Sequence, residues 1–265
     1  MSLASTLSAS SSPPSPGPAD FNLPAIFEVG ALEVTKPMVL LAISAVLIAL
    51  LFAASARPAA VVPGRLQFAG EMVYGFVRNG IARDNIGSHD YQRFVPFLFA
   101  IFTFVFVNNY YGLIPVVQFP SMSHIGFPLA LAAITWIVYN GAGIARHGFL
   151  GYLKHETVPS GMKGPILVLL VPLEFLSNIL LRPVTLTLRL FATMFAGHLL
   201  LLLFSLGAEY LLLHSENTLA IPAGIASAIL FVGISFLEIL VMFLQAYVFT
   251  LLASMYIGEA LADEH

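Results

Sequence analysis

Five ionisable residues lie inside stretches of sequence that are otherwise apolar, and they are the residues best suited to chemistry. They are Glu174, Arg182, Arg189, His198 and Glu238. A charge near the centre of a bilayer costs at least about 2.5–3.5 kcal/mol on insertion scales, so each one needs a physical reason. Arginine stays protonated under all relevant conditions, whereas histidine titrates near neutral pH and is a natural proton relay. The residue types therefore indicate a fixed positive charge at the arginines and proton transfer at His198.

The spacing of these residues predicts polar stripes on helices. Arg182 and Arg189 are seven residues apart, and so are Glu238 and Gln245. Residues seven apart share a helix face within roughly 20°, so each pair lies on one face. Short polar side chains lie nearby in the sequence: Asn178, Thr185, Thr187 and Thr193. Two polar stripes on two apolar helices indicate a water-accessible cleft, and His198, nine residues after Arg189, would serve a different surface of a straight helix.

Simpler interpretations of the same residues stay open at this point. A buried ion pair could join Glu174 to Arg182, or Arg189 to Glu238. Such a pair alone would not explain the hydroxyl groups and the histidine around Arg189. Arg182 could instead lie near an interface and extend its charge towards water. His198 could be a hydrogen-bonded packing residue of a membrane helix.

The composition indicates what kind of fold must position these residues. The chain has 265 residues, of which 58% are hydrophobic and 9% are charged, against about 25% charged in an average soluble domain. That leaves too little polar surface to cover a soluble core. The apolar runs are long and continuous, which predicts an all-α polytopic membrane protein. The net charge of −3 offers no basic excess for a nucleic-acid partner, and without cysteine there is no disulfide or thiolate chemistry.

No spacing typical of a metal centre or of a catalytic nucleophile occurs. Four histidines lie in loops or at the end of the chain: His147, His155, His214 and His265. No two of them have the spacing of a helical metal site, so we expect no metal. Motifs for nucleotide binding, a serine nucleophile and a zinc protease are missing from the sequence, so we expect no cofactor, and nothing supports an intramembrane hydrolase.

Apolar run lengths predict the upright part of the fold. Residues 1–22 are rich in Ser, Pro and Ala and predict a disordered leader, followed by a single membrane domain over 23–265. Runs near the ~20 residues that cross a bilayer predict spans at 38–56, 94–117 and 125–145. Apolar residues at helical spacing over 66–83 predict an amphipathic helix along the membrane surface.

Two further apolar segments, 165–206 and 221–257, are too long to be single upright spans. As one helix, the first would be about 63 Å long at 1.5 Å per residue, twice the thickness of the hydrocarbon core. We therefore expect a strongly tilted or horizontal helical hairpin. Pro172 and Pro183 are positioned to break or kink it.

The distribution of basic residues predicts the orientation. Residues 57–93 contain five of the 11 Lys and Arg, and the predicted loop 146–164 contains three. Three upright spans place both regions on one face, which the positive-inside rule makes cytoplasmic. The N-terminus is then outside.

Residues 182–199 read Arg-Pro-Val-Thr-Leu-Thr-Leu-Arg-Leu-Phe-Ala-Thr-Met-Phe-Ala-Gly-His-Leu. This stretch resembles the signature Leu-Arg-Leu-Phe-x-Asn-x-x-Ala-Gly-His of subunit a of the F-type ATP synthase. The region around Glu238 and Gln245 is similar to the last helix of that family, and residues 96–115 are similar to its second span. The resemblance covers roughly residues 38–258.

The resemblance implies roles for particular residues in a proton-translocating stator subunit. Arg189 matches the essential arginine that faces a carboxylate of the rotating c-ring. His198 and Glu238 match polar positions that line two aqueous half-channels, and Gln245 matches a glutamine close to the arginine. Thr193 stands where the family usually has asparagine, so a role specific to an amide does not carry over.

The same resemblance implies a wider setting. We place Glu174, Asn178 and Arg182 in the same proton path. The expected partners are the c-ring, peripheral stalk subunit b, the remaining ATP synthase subunits and the bilayer, in a bacterial plasma (inner) membrane. The alternative is a secondary transporter that binds an anionic substrate at a midplane arginine. That alternative predicts internal repeats, which a comparison of the two halves does not show.

Overall fold

The computed structural model describes residues 27–29, 32–55, 64–87, 89–114, 121–158, 167–214 and 220–262. The predicted leader, residues 1–22, lies outside this described part. Nearly all described residues are helical, which confirms the all-α fold. An antiparallel ribbon of two three-residue strands, β1 (Phe27–Val29) and β2 (Leu32–Val34), precedes the helices.

Three helices have the length of upright spans. They are α1 (Lys36–Ser55), α4 (Tyr91–Tyr110) and α5 (Gly126–His147). Between α1 and α4, α2 (Arg65–Val77) continues through a π-helical segment, Arg78–Ala82, into α3 (Arg83–Ile86). Five helical stretches of the described part are long and apolar enough to cross a membrane, and these three are among them.

The remaining two long stretches form an antiparallel hairpin. The first is continuous over 48 residues: α7 (Leu167–Phe175), a π segment (Leu176–Leu181), α8 (Arg182–Glu209) and a further π segment (Tyr210–His214). The second is α9 (Ala220–Leu261), with 42 residues. At 1.5 Å per residue they are about 72 Å and 63 Å long, so both exceed the predicted segments 165–206 and 221–257.

Contacts between α8 and α9 extend along the whole hairpin. At its turn, Gly224 packs closely on Leu212. Further along, the Ser227 hydroxyl donates a hydrogen bond of 2.9 Å to the carbonyl of Phe204. At the far end, Arg182 at the start of α8 reaches Glu259 near the end of α9. The hairpin is therefore one unit rather than two independent helices.

The helix continues through both prolines, so of the break or kink expected at Pro172 and Pro183 the break does not occur. Pro172 lies within α7, and a π-helical turn precedes Pro183. Because proline has no N–H, it cannot bond to the carbonyl four residues earlier, that of Ile179. The Trp136 indole N–H of α5 donates to that carbonyl at 2.8 Å. The free backbone group is thus satisfied by a neighbouring helix, which is how membrane helices tolerate proline.

Residues 149–157 are helical, so the prediction of a loop over 146–164 is wrong there. The helix is α6 (Phe149–Thr157), and it follows α5 after Gly148 alone. Gly148 has φ +72°, a conformation that few residues other than glycine adopt. This turn lets α6 fold back on α5, where Tyr152 packs directly on Gly143.

The two basic regions meet at one end of the helix bundle. Arg146 Nη1 lies 2.8 Å from Asp90 Oδ2, which joins the end of α5 to the residue before α4. Gly258 of α9 packs against the backbone carbonyl of Asn85 in α3. The end of the hairpin that contains Arg182 and Glu259 therefore lies on the same side as the basic residues.

Candidate functional site

Arg189 lies on the outer surface of the hairpin. Its side chain is exposed, as are those of Leu188, Ala192 and Ala196 on the same helix. Within the described residues its guanidinium forms no hydrogen bond and no ion pair. The ion pair between Arg189 and Glu238 is therefore not formed, because Arg189 is exposed whereas Glu238 is buried where α8 and α9 pack together.

His198 and Glu238 lie where α8 and α9 pack together. Their exposed fractions are 8% and 4%. The point of closest approach is Gly197, where a Cβ atom would lie 2.9 Å from Glu238 Oε1. The glutamate therefore rests against the residue that precedes His198, and the nine-residue offset does place His198 and Arg189 on different surfaces.

Gly197 is a site residue that the sequence-based list of candidates omitted. It belongs to the Ala-Gly-His stretch, but a glycine carries no chemistry of its own. Its function is to leave room for the Glu238 carboxylate, since any larger side chain would have to displace that group. The sequence signal that could have identified Gly197 is a small residue directly before a histidine in a membrane helix.

Gln245 and Thr193 are also in the hairpin, and their surroundings differ. Gln245 is 4% exposed on the same face of α9 as Glu238, and its Nε2 has no hydrogen-bond partner among the described residues. The Thr193 hydroxyl donates to the carbonyl of Arg189 at 2.9 Å. Thr193 is thus engaged with its own helix, as threonine in a helix commonly is.

Arg182 is the centre of a polar cluster at the basic end of the bundle. Its Nη2 lies 2.8 Å from Glu259 Oε2 and donates to Asn178 Oδ1 at 3.0 Å. Its Nη1 lies 3.8 Å from Glu156 Oε2. The guanidinium carbon is 4.8 Å from the centre of the Tyr256 ring. The side chain is only 16% exposed, so Arg182 does not extend into water.

The predicted pair of Glu174 and Arg182 is indirect. The Asn178 amide donates to Glu174 Oε2 at 3.1 Å, while its carbonyl oxygen accepts from Arg182. Asn178 lies four residues from each, so it occupies the space between them. The same amide also donates to the backbone carbonyl of Glu156 at 2.9 Å, which fixes α6 to the hairpin.

Glu156 is the buried acid of this cluster. Burial raises the pKa of Glu156 above its ordinary value of 4.5, and Arg182 opposes that shift. The sequence offers no route to Glu156 or Glu259, because residues 146–164 predict a loop and the chain from Glu259 onwards is simply acidic. Among the described residues no group of three or more His, Asp or Glu could hold a metal ion.

The candidate residues therefore occupy three positions along α8. Arg182 is at the basic end, Arg189 is about 10 Å further along the helix, and His198 is about 14 Å beyond Arg189. Ionisable groups within the apolar helices of a polytopic membrane protein are typical of the class that transports ions.

Comparison with known proteins identifies the family within this class. The family model of the ATP synthase A chain matches residues 38–258, more than four fifths of the chain. The chain therefore belongs to the ATP synthase A chain family, whose members are subunit a of the membrane sector of ATP synthase. Membership favours this interpretation over a secondary transporter.

Individual relatives agree along almost the whole chain. ATP synthase subunit a of a Nocardioides species is 56% identical over 260 residues, which cover 94% of both proteins. The Paenarthrobacter aurescens subunit a is 49% identical, again with 94% of both covered. That of Streptomyces lividans is 41% identical over 87% of this chain and 80% of its own length.

Proposed function

We propose that this chain is the stator subunit through which protons cross the membrane to and from the rotating c-ring of an F-type ATP synthase. The observation that carries the proposal is Arg189: an exposed cation, without a partner in the described part of the chain, on a helix face where its neighbours are uncharged. An unpaired charge in the bilayer is costly, so the partner must come from another molecule.

A carboxylate on a neighbouring membrane helix is the natural partner of Arg189. Ala192 and Ala196 lie one and two turns further along the exposed side of α8. Small residues at a membrane helix surface allow another backbone to approach closely. A ring of helices could therefore pass this face and present one carboxylate at a time to the guanidinium.

The other polar residues suit two access routes, offset along the hairpin. His198, Glu238 and Gln245 form one route, buried where α8 and α9 pack. Glu174, Asn178 and Arg182 form the other, at the basic end, and Thr193 lies between the two routes beside Arg189. A proton enters by one route, neutralises a ring carboxylate, is carried round by rotation and leaves by the other route.

Arg189 prevents a direct leak between the routes. It remains protonated and so stabilises an ionised carboxylate without passing a proton itself. A neutralised carboxylate can turn to face lipid, whereas an ionised one needs the arginine, and this difference couples protonation to rotation. Each proton contributes about 2.3 kcal/mol per 100 mV of membrane potential.

This function implies a location and an assembly. The chain would lie in a bacterial plasma membrane, with its basic end cytoplasmic, its N-terminus outside and its hairpin strongly tilted beside the ring. It would be a non-catalytic subunit that also contacts peripheral stalk subunit b. The exposed side of α2 and α3, including Arg83, is a candidate surface for the stalk.

Cysteine cross-linking tests which surface faces the ring. The chain has no cysteine, so a single one can be introduced without background. In the assembled complex, Ala192→Cys should cross-link to a cysteine placed next to the ring carboxylate. Ala133→Cys, at an exposed alanine of α5, is the matched control and should not cross-link. A reversed result, with Ala133 linked and Ala192 not, would refute the proposed interface.

A further inference from the structure

A cavity between α1, α2 and α4 is separate from the proposed proton path. Its volume is about 710 Å³, and its walls are formed chiefly by Leu51, Phe52, Val73 and Phe99. Two charged residues of α2, Arg65 and Glu71, also line it, and both are exposed. The cavity therefore joins an apolar interior to a charged opening.

The walls of the cavity are held in place by contacts of their own. The rings of Phe52 and Phe99 stack with their centres 4.6 Å apart, and the edge of Tyr74 meets Phe99 at 5.5 Å. The Thr103 hydroxyl donates to the carbonyl of Phe99 at 2.7 Å. Its polar group is thus satisfied within α4, and the cavity needs no polar partner there.

The charges at the opening are of both signs, and neither has an ionic partner. Arg65 forms no hydrogen bond or ion pair with any residue that the structure describes. Glu71 accepts one hydrogen bond, at 2.9 Å, from the amide of Gln67. A ligand with an apolar tail, an anionic group and a cationic group matches this arrangement.

The dimensions favour a lipid chain over a helix of another subunit. On α4 the lining extends only from Phe99 to Thr103, about 6 Å along the helix. A membrane helix is about 10–12 Å wide and would need a groove near the full 30 Å of the hydrocarbon core. The first part of one acyl chain fits a cavity of this height, and the rest of that chain can continue into the bilayer that surrounds α1 and α4.

We propose that this cavity binds one phospholipid with a zwitterionic headgroup. Its acyl chain lies against Val73 and the stacked rings of Phe52 and Phe99, its phosphate pairs with Arg65, and its ammonium group pairs with Glu71. The lipid would fasten α2 to α1 and α4 at the basic end of the bundle. Neither Arg65 nor Glu71 belongs to the proposed proton path, so this inference stands or fails independently of it.

Lipid retention by the purified, assembled complex tests the proposal. The complex is washed in detergent, incubated with mixed micelles that contain phosphatidylethanolamine or phosphatidylglycerol, and bound lipid is counted by native mass spectrometry. Arg65→Gln should lower phosphatidylethanolamine occupancy about tenfold, which is the ratio for one lost hydrogen bond to a charged group. Ala69→Phe, which fills the cavity, should lower the occupancy of both lipids.

Matched controls separate the site from general effects of charge and bulk. Arg93→Gln removes another exposed arginine of the same end, and Ala133→Phe adds a ring on an exposed face of α5; both should retain lipid as the wild type does. Glu71→Gln should keep the lipid but lose the preference for phosphatidylethanolamine. Equal retention by wild type, Arg65→Gln and Ala69→Phe would overturn the proposal. So would a photo-cross-linker at position 69 that captures another subunit instead of lipid.

Discussion

Gly197 provides the most precise perturbation of the buried part of the site. In Gly197→Ala, the new Cβ would lie 2.9 Å from Glu238 Oε1 and 3.5 Å from its Cδ. The carboxylate must retreat by about 0.5 Å to reach the 3.4 Å at which ordinary contact begins. The atom that moves is the end of a flexible side chain, so the complex should still assemble.

Gly197→Ala should reduce proton pumping much more than it reduces assembly of the complex. A displacement of 1 Å can cost about 100-fold in a precisely arranged site, so 0.5 Å should lower proton pumping by up to about tenfold. Gly197→Val places more atoms against Glu238 and should abolish pumping. The assay is ATP-driven acidification of membrane vesicles, with assembly measured by co-purification of the ring.

Gly233→Ala is the matched control for this substitution. Gly233 is also in the hairpin, but a Cβ there meets nothing within 4 Å. Alanine in place of glycine in a helix is stabilising by about 0.4–1 kcal/mol, so this variant should assemble and pump as the wild type does. Pumping at the wild-type rate by both Gly197 variants would refute the argument that the position of Glu238 matters.

The other end of the hairpin yields three further predictions. Arg182→Met should destabilise the subunit by about 3 kcal/mol, because it leaves buried Glu156 without its cation. Glu259→Gln, which changes a half-exposed partner of Arg182, should cost less than about 1 kcal/mol. Thermal unfolding of the complex compares the stabilities of the two variants. Because burial raises the pKa of Glu156 in the folded protein, its neutral form is favoured and stability is lost as the pH rises through that raised pKa. Glu156→Gln should therefore have a flatter profile of melting temperature against pH between pH 4.5 and pH 8, and a profile parallel to that of the wild type would contradict this. Gly258→Ala meets backbone atoms that have no room to move and should cost about 1–3 kcal/mol. Gly141→Ala, with open space around it in α5, should instead be stabilising by about 0.4–1 kcal/mol.

The lengths of the two long helices, and the placement of Arg189 and His198 on different helix faces, could be predicted because both depend on local sequence. Apolar run length alone showed that 165–206 and 221–257 exceed an upright span. The nine-residue offset alone placed Arg189 and His198 on different surfaces. Both features follow from helix geometry, which a sequence determines directly.

The partners of Arg182 could not be predicted, because they come from distant parts of the chain. Glu156 and Glu259 are 26 and 77 residues away. Glu156 reaches the cluster only because Gly148 folds α6 back on α5, and a glycine after a helix also suits an ordinary loop. The closeness of Gly197 to Glu238 likewise depends on the register of α8 against α9, which pairwise packing determines.

The π-helical turn before Arg182 is a further feature that only the structure supplies. Pro183 indicated a break or a kink, but not a π-helical turn. Continuation depends on the Trp136 indole, which satisfies the carbonyl of Ile179 from another helix. Local sequence around Pro183 holds no information about that donor.

Proton pumping by Arg189→Ala tests the central claim most directly. The claim predicts that the complex assembles with its ring, because Arg189 makes no side-chain bond within the described part of the subunit. It also predicts that ATP-driven pumping and proton-driven synthesis both vanish, while the control Arg93→Ala, at an exposed arginine of α4, retains both. If Arg189→Ala assembles and pumps at close to the wild-type rate, the arginine does not couple proton flow to rotation, and the proposed function is wrong.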